Sequence, residues 1–123
     1  MGEKIRSFTD LKFWREAHAL ALDIYSATKS FPKDEIFALT NQMRRCAISV
    51  PSNIAEGFSR NSAKDKLQFY AIALGSVTEL QSQLMMARDL GYMGKNQFQM
   101  IAEKTVGVSK LINGMKKTAQ SRA

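Results

Sequence analysis

RRCAISVPSNIAEGFSR, running from Arg44 to Arg60, places a proline inside a segment of helical periodicity. Proline offers no N–H, and the ring of Pro51 presses on the carbonyl of Ala47, so a kink costing about 3 kcal/mol is expected. Ser49, Ser52, Asn53 and Glu56 surround that break, and Gly57 follows it. Ser and Asn side chains bond locally to the main chain and can satisfy backbone groups that a proline frees. The plainest reading is a capped, kinked helix without chemistry. Ser49, Pro51, Ser52, Asn53, Glu56 and Gly57 then form a structural motif.

Around this stretch the apolar pattern has helical period. Ile36, Leu39, Met43, Ala47, Val50 and Ile54 recur at three-and-four spacing. A polar stripe of Asn41, Arg45, Ser49, Ser52 and Glu56 accompanies them. The spacing predicts a helix that starts near Asp34, whose carboxylate suits a helix N-terminus. It should end near Phe58, with Gly57 as the left-handed residue that closes it.

Upstream, Leu11, Trp14, Ala17, His18, Ala21, Ile24, Tyr25 and Thr28 make one stripe, with Asp10 as the expected N-cap and Phe31-Pro32 as the stop. Downstream, Ser62 is expected to cap a third helix that runs to Leu90 and stops at Gly91. Its apolar residues form two offset seams, one through Tyr70 and Val77, the other through Ala73 and Leu80. That width, with Ala71, Gly75 and Ser76 small enough for close approach, suits contact with another subunit. A wide buried face on a central helix is the alternative.

The fourth helix should span Lys95 to Ala119 on a seam of Phe98, Ile101, Thr105, Val108, Ile112, Met115 and Ala119. Gly107 and Gly114 lie within it, residues tolerated where another backbone comes close. No strand alternation is present. The connections near residues 30–33, 59–61 and 91–94 are short, so consecutive helices should be antiparallel neighbours. The expected fold is all-α: an antiparallel up-down-up-down four-helix bundle, its second helix kinked at a proline. One domain covers residues 1–123, since 123 residues suffice for one core.

Charge is uneven. Residues 1–91 hold 12 basic and 10 acidic residues, whereas residues 92–123 hold 6 basic against the single Glu103. The C-terminal quarter therefore carries most of the formal net charge of +7. Such asymmetry suits a polyanionic partner, and equally suits plain solubility. The basic residues to consider are Arg44, Arg45, Arg60, Lys104, Lys110, Lys116 and Lys117, all able to contact phosphate without reading sequence. No RNA-recognition, KH or zinc-finger signature accompanies them.

Other chemistry finds little support. His18 is the only histidine and sits on an apolar stripe. Cys46 is the only cysteine; Arg44 and Arg45 beside it could lower a thiol pKa, but a small buried hydrophobe is the better reading. Glu56 and Glu79 lack the Glu-x-x-His motif of a di-iron bundle, and no phosphate-binding glycine loop or zinc spacing occurs. Neither enzyme activity nor a cofactor is expected. No apolar run approaches the roughly 20 residues of a membrane span, and MGEKIRSFTD has no apolar signal core, so a cytoplasmic location is expected.

Four segments carry a resemblance: FTDLKFWREAHALALDIYSATKSFP (Phe8–Pro32), QMRRCAISVPSNIAEGFSR (Gln42–Arg60), FYAIALGSVTEL (Phe69–Leu80) and ARDLGYM (Ala87–Met93). In these the chain resembles the bacterial four-helix-bundle proteins encoded by intervening sequences in 23S ribosomal RNA genes. Cys46 departs from the usual small residue after the arginine pair, a conservative change. The resemblance implies a ring-like homopentamer with a basic surface suited to nucleic acid. Accessory proteins of diversity-generating retroelements share the fold, and through them the resemblance implies RNA and a reverse transcriptase as partners. Two functions follow as expectations: a non-enzymatic oligomer that binds RNA or DNA backbones, and a protein-interaction scaffold.

Overall fold

The computed structural model describes residues 4–122. The described residues form four α-helices: α1 (Lys12–Thr28), α2 (Leu39–Ser59), α3 (Ala63–Asp89) and α4 (Lys95–Ser121). Single 3-10 turns occur at Phe8–Asp10 and Lys33–Glu35, and there is no strand among the described residues. Helices α1 and α3 each pack on both α2 and α4, which gives a four-helix bundle with α1 and α3 on one diagonal. Across the core the rings of Phe13 and Tyr70 meet edge to face at 5.4 Å.

Helix starts differ from the sequence expectation where a 3-10 turn intervenes. Asp10 does not cap α1. Its carboxylate instead accepts the backbone N–H groups of Arg6 and Ser7, closing a capping box one turn earlier. Leu11 takes the cap position of α1 without a side-chain bond. Helix α2 begins at Leu39 and not near Asp34. Pro32 and Lys33 accept from Glu35 and Ile36 three residues on, so this stretch tightens into turns and Ile36 stays outside the helix.

Ser62 does cap α3, its hydroxyl accepting the Asp65 N–H at 3.1 Å. After α3, Gly91 has φ of 78° and Tyr92 N–H returns to Ala87 O at 2.9 Å, a left-handed stop that needs glycine. Gly57 has a different task from the one expected of it. It lies within α2, which continues to Ser59, and a Cβ there would fall 2.6 Å from the Tyr70 ring. Glycine at 57 lets α2 close on α3.

The buried face of α3 is Tyr70, Ala73, Val77, Leu80, Leu84 and Ala87. Its spacing alternates three and four, so the two expected seams merge into one that the bundle itself covers. Gly75 faces open space. The seam of α4 is as expected, with Ile101, Thr105, Val108, Ile112 and Ala119 buried and Phe98 and Met115 half-buried. Gly107 and Gly114 have no neighbouring atom within 4 Å of an added Cβ, so among the described residues no other backbone approaches them.

Candidate nucleic-acid interface

Helix α2 runs unbroken through Pro51, which is buried. Asn53 Nδ2 donates to Ser49 O at 2.8 Å and to Ser49 Oγ at 3.0 Å. The Ser49 hydroxyl meets that of Ser76 on α3 at 2.8 Å. Ser49 thus ties the proline segment to α3, and Asn53 braces Ser49 from one turn on. The other two polar residues do not join them. Ser52 lies exposed beside the α1–α2 groove, and Glu56 is exposed and paired with Arg60 at 3.1 Å.

Gln42, Arg45, Cys46, Ser49, Ser76 and Glu79 line a polar cleft of about 340 Å³ between α2 and α3. Cys46 Sγ donates to Ser76 O at 3.0 Å and points at Glu79 Oε2, 3.6 Å away. Burial first, then the Glu79 charge, pushes the thiol up to about 12. A thiolate nucleophile is therefore not formed near neutral pH. His18 stands on α1, exposed, its ring stacked on Trp14 at 4.8 Å. No group of three or more His, Cys, Asp or Glu that could hold a metal ion occurs among the described residues.

The basic candidates divide by position. Arg44 is held at the C-terminal end of α1: Nε donates to Thr28 Oγ1 at 2.8 Å, and the guanidinium lies 4.8 Å over the Tyr25 ring. Arg45 belongs to the polar cleft. Lys104 is ion-paired with Asp23 of α1. Lys110 is exposed on α4 and belongs to none of these groups.

Arg60, Lys116 and Lys117 fall at the other end of the bundle. There Ile5, Leu11, Asn61, Ala63, Thr118 and Ala119 line one cavity of about 410 Å³, with Lys66 and Arg122 at its wall. This cavity shows that residues 4–12, 60–66 and 116–122 converge. Those three segments contain nine basic residues and two carboxylates, Asp10 and Asp65. Arg60 is partly committed, to Glu56 and to the Phe69 ring 4.6 Å away, and Lys66 Nζ donates to Phe58 O at 2.8 Å. Lys4, Lys12, Lys64, Lys116, Lys117 and Arg122 form no ion pair among the described residues.

The family model for the 23S rRNA-intervening sequence protein matches residues 9–114. The chain belongs to that family. The fold of this intervening-sequence protein is also that of a solved structure, a protein of unknown function from the S23 ribosomal protein family of Bacteroides thetaiotaomicron VPI-5482. The two share 22% identity with a TM-score of 0.79, over 85% of this chain and 95% of the other. No curated protein matches the sequence.

Lys4, Arg6, Lys12, Lys64, Lys66 and Arg122 are not among the basic residues that the sequence singles out; they are dispersed along the chain and join the basic end only through folding. The available signal was the shortness of the connections, which brings alternate helix ends together. A second surface is apolar: a groove of about 490 Å³ between α1 and α2, lined by Trp14, Leu22, Tyr25, Ile48 and Pro51 among others. No described helix is long and apolar enough to cross a membrane.

Proposed function

We propose that this protein is a non-enzymatic, basic homo-oligomer that binds RNA or DNA through phosphate contacts at the end of the bundle. The observation that supports this reading most is the convergence at one end of the bundle of three segments that carry nine basic residues and two carboxylates, with Lys66 and Arg122 lining the cavity they share and Glu56 pairing Arg60 beside it. Charges gathered within about a Debye length act as one field on a polyanion. Arg60, Lys116 and Lys117 belong to this site; Arg44 and Lys104 serve the bundle through Thr28 and Asp23. Five copies is the number that the resemblance implies, and a ring would multiply a weak patch through avidity. The cytoplasm is the expected setting, where a lone thiol such as Cys46 stays reduced.

The test is a binding titration with RNA and DNA at two salt concentrations, comparing wild type with a Lys116→Gln, Lys117→Gln, Arg122→Gln variant. Binding should weaken similarly for all sequences. The dependence of log affinity on log salt should flatten by roughly 2 to 3. Equal affinity of the two proteins would remove this end from the site. The alternative is a protein-interaction scaffold, for example an accessory subunit that docks a reverse transcriptase. The apolar α1–α2 groove, with Leu22 and Ile48 exposed, favours it. Apolar docking would change little with salt, which separates the two readings.

A further inference from the structure

The cavity at the basic end has a lining that phosphate contacts alone do not use. Leu11, Phe58 and Met115, each half-buried, give it an apolar wall. Tyr70 lines it too and is only 2% exposed, its ring set against Phe13 and fitted to Gly57. Its hydroxyl has no hydrogen-bond partner among the described residues, and burial alone pushes the phenol pKa up. A buried tyrosine hydroxyl ordinarily finds a partner, so this one calls for an explanation.

Lys66 is a fixed cation at the same cavity. Its Nζ donates to Gly57 O at 3.3 Å and to Phe58 O at 2.8 Å, and lies 5.5 Å from the centre of the Phe58 ring. An ammonium has three N–H groups, so one is left for an anion. Arg122 also lines the cavity and forms no ion pair among the described residues. Asn61, in the connection from α2 to α3, adds an amide that both donates and accepts. The volume of about 410 Å³ is that of a small-molecule site. A lone phosphate would leave the apolar wall and the Tyr70 hydroxyl unused. An acyl chain would bury that hydroxyl without a partner. A nucleotide, with a flat ring, a polar edge and a phosphate, matches all three.

We propose that this cavity takes an unpaired nucleotide of a single strand, its base among Leu11, Phe58 and Met115 with its polar edge at the Tyr70 hydroxyl, and its phosphate on Lys66 and Arg122. Aromatic and apolar walls bind any base by its face, so the pocket adds affinity without demanding a sequence. A base inside a duplex is stacked and paired and has to leave the helix before it can enter such a pocket. This deepens the proposed function and rests on its nucleic-acid reading: the basic end becomes an interface that distinguishes a strand with free bases from a bare phosphate backbone.

The experiment is a binding titration of wild type, Tyr70→Phe and Ala63→Leu, with thermal unfolding to report the fold. The probes are a single strand, a strand of the same length with abasic sugars, and a duplex, each as RNA and as DNA. Tyr70→Phe keeps the ring that packs on Phe13, and Ala63→Leu enlarges a side chain of the cavity lining. Wild type should bind the single strand about tenfold more tightly than its abasic form, the scale of one stacked base. Ala63→Leu should remove most of that difference, and Tyr70→Phe should reduce it about fivefold, as for one hydrogen bond. Both variants should bind the duplex as wild type does. Equal wild-type affinity for the ordinary and abasic strands overturns the base pocket and leaves the phosphate interface standing, and needs no variant to fold. Folded variants that bind the single strand as wild type does overturn it as well. A wild type that binds none of the probes overturns both the pocket and the nucleic-acid reading.

Discussion

Asn53 and Glu56 are three residues apart on α2, yet they meet different surroundings. Asn53 reaches back one turn to Ser49 in a half-buried position, whereas Glu56 pairs with Arg60 in solvent. Asn53→Ala should therefore lower stability by about 1 kcal/mol, as expected for a lost partly buried hydrogen bond. Glu56→Ala should stay within about 0.5 kcal/mol, as for an exposed ion pair. Urea unfolding of the two variants checks the order. Equal losses would mean that Asn53 contributes no more than a surface residue.

Cys46 makes the second prediction at this scale. Its thiol is ordinary below pH 9.0, protonated both folded and unfolded, and its contribution there is complete. As pH rises from 9.0 towards about 12, the unfolded chain loses the proton and the folded chain keeps it, so stability falls. Tyr70, also raised by burial, acts in the same direction. Cys46→Ala should flatten this alkaline loss. Denaturant midpoints on either side of pH 9.0 measure it, and an unchanged slope would show that the thiol titrates normally.

Helices differ in how far their own sequence sets their limits. Helix α3 begins and ends where Ser62 and Gly91 direct, because a hydroxyl cap and a left-handed glycine act within a few residues. Helix α2 does not. Its start yields to the turns after Pro32, and Gly57 answers to the Tyr70 ring on the neighbouring helix. Gly107 and Gly114 on α4 answer to nothing among the described residues. Replacing either with Ala should raise stability by about 0.5–1 kcal/mol, since glycine in an exposed helix interior carries excess unfolded-state entropy. Thermal unfolding measures this. A loss of stability together with a loss of oligomer mass would instead show that another copy's backbone approaches these positions.

For the whole molecule, the field depends on which residues share an end. Lys110 and Lys117 lie on the same helix, but only Lys117 belongs to the segments that converge around the end cavity. Lys117→Gln should weaken nucleic-acid binding more than Lys110→Gln, by roughly the factor that one phosphate contact contributes. Paired titrations at low salt compare them. Equal effects would spread the interface along the length of α4.

The α1 stripe was legible only in part: Ala17, Ala21, Ile24 and Thr28 are buried as expected, but His18 and Tyr25 are exposed, and Phe13, Leu20 and Ala27 take their place in the core. Helix number, the seam of α4, the α3 cap and stop, and the absence of strands among the described residues were all legible from the sequence. They depend on period and on contacts a few residues long. The proline-centred stretch and its neighbours also carried the family. Only the tertiary structure decided that Ser49 bonds across to α3 with Asn53 bracing it, while Ser52 and Glu56 stay exposed, because positions along one helix meet different neighbours. It likewise decided that the two α3 seams are one, since the breadth of a buried face depends on the helices beside it. The basic end has the same origin. Counting charge along the chain put the surplus in the last quarter, but packing brings lysines and arginines from residues 4–12 and 60–66 to meet it. Electrostatic fields add through space, and the order of residues along the chain does not record which of them share that space.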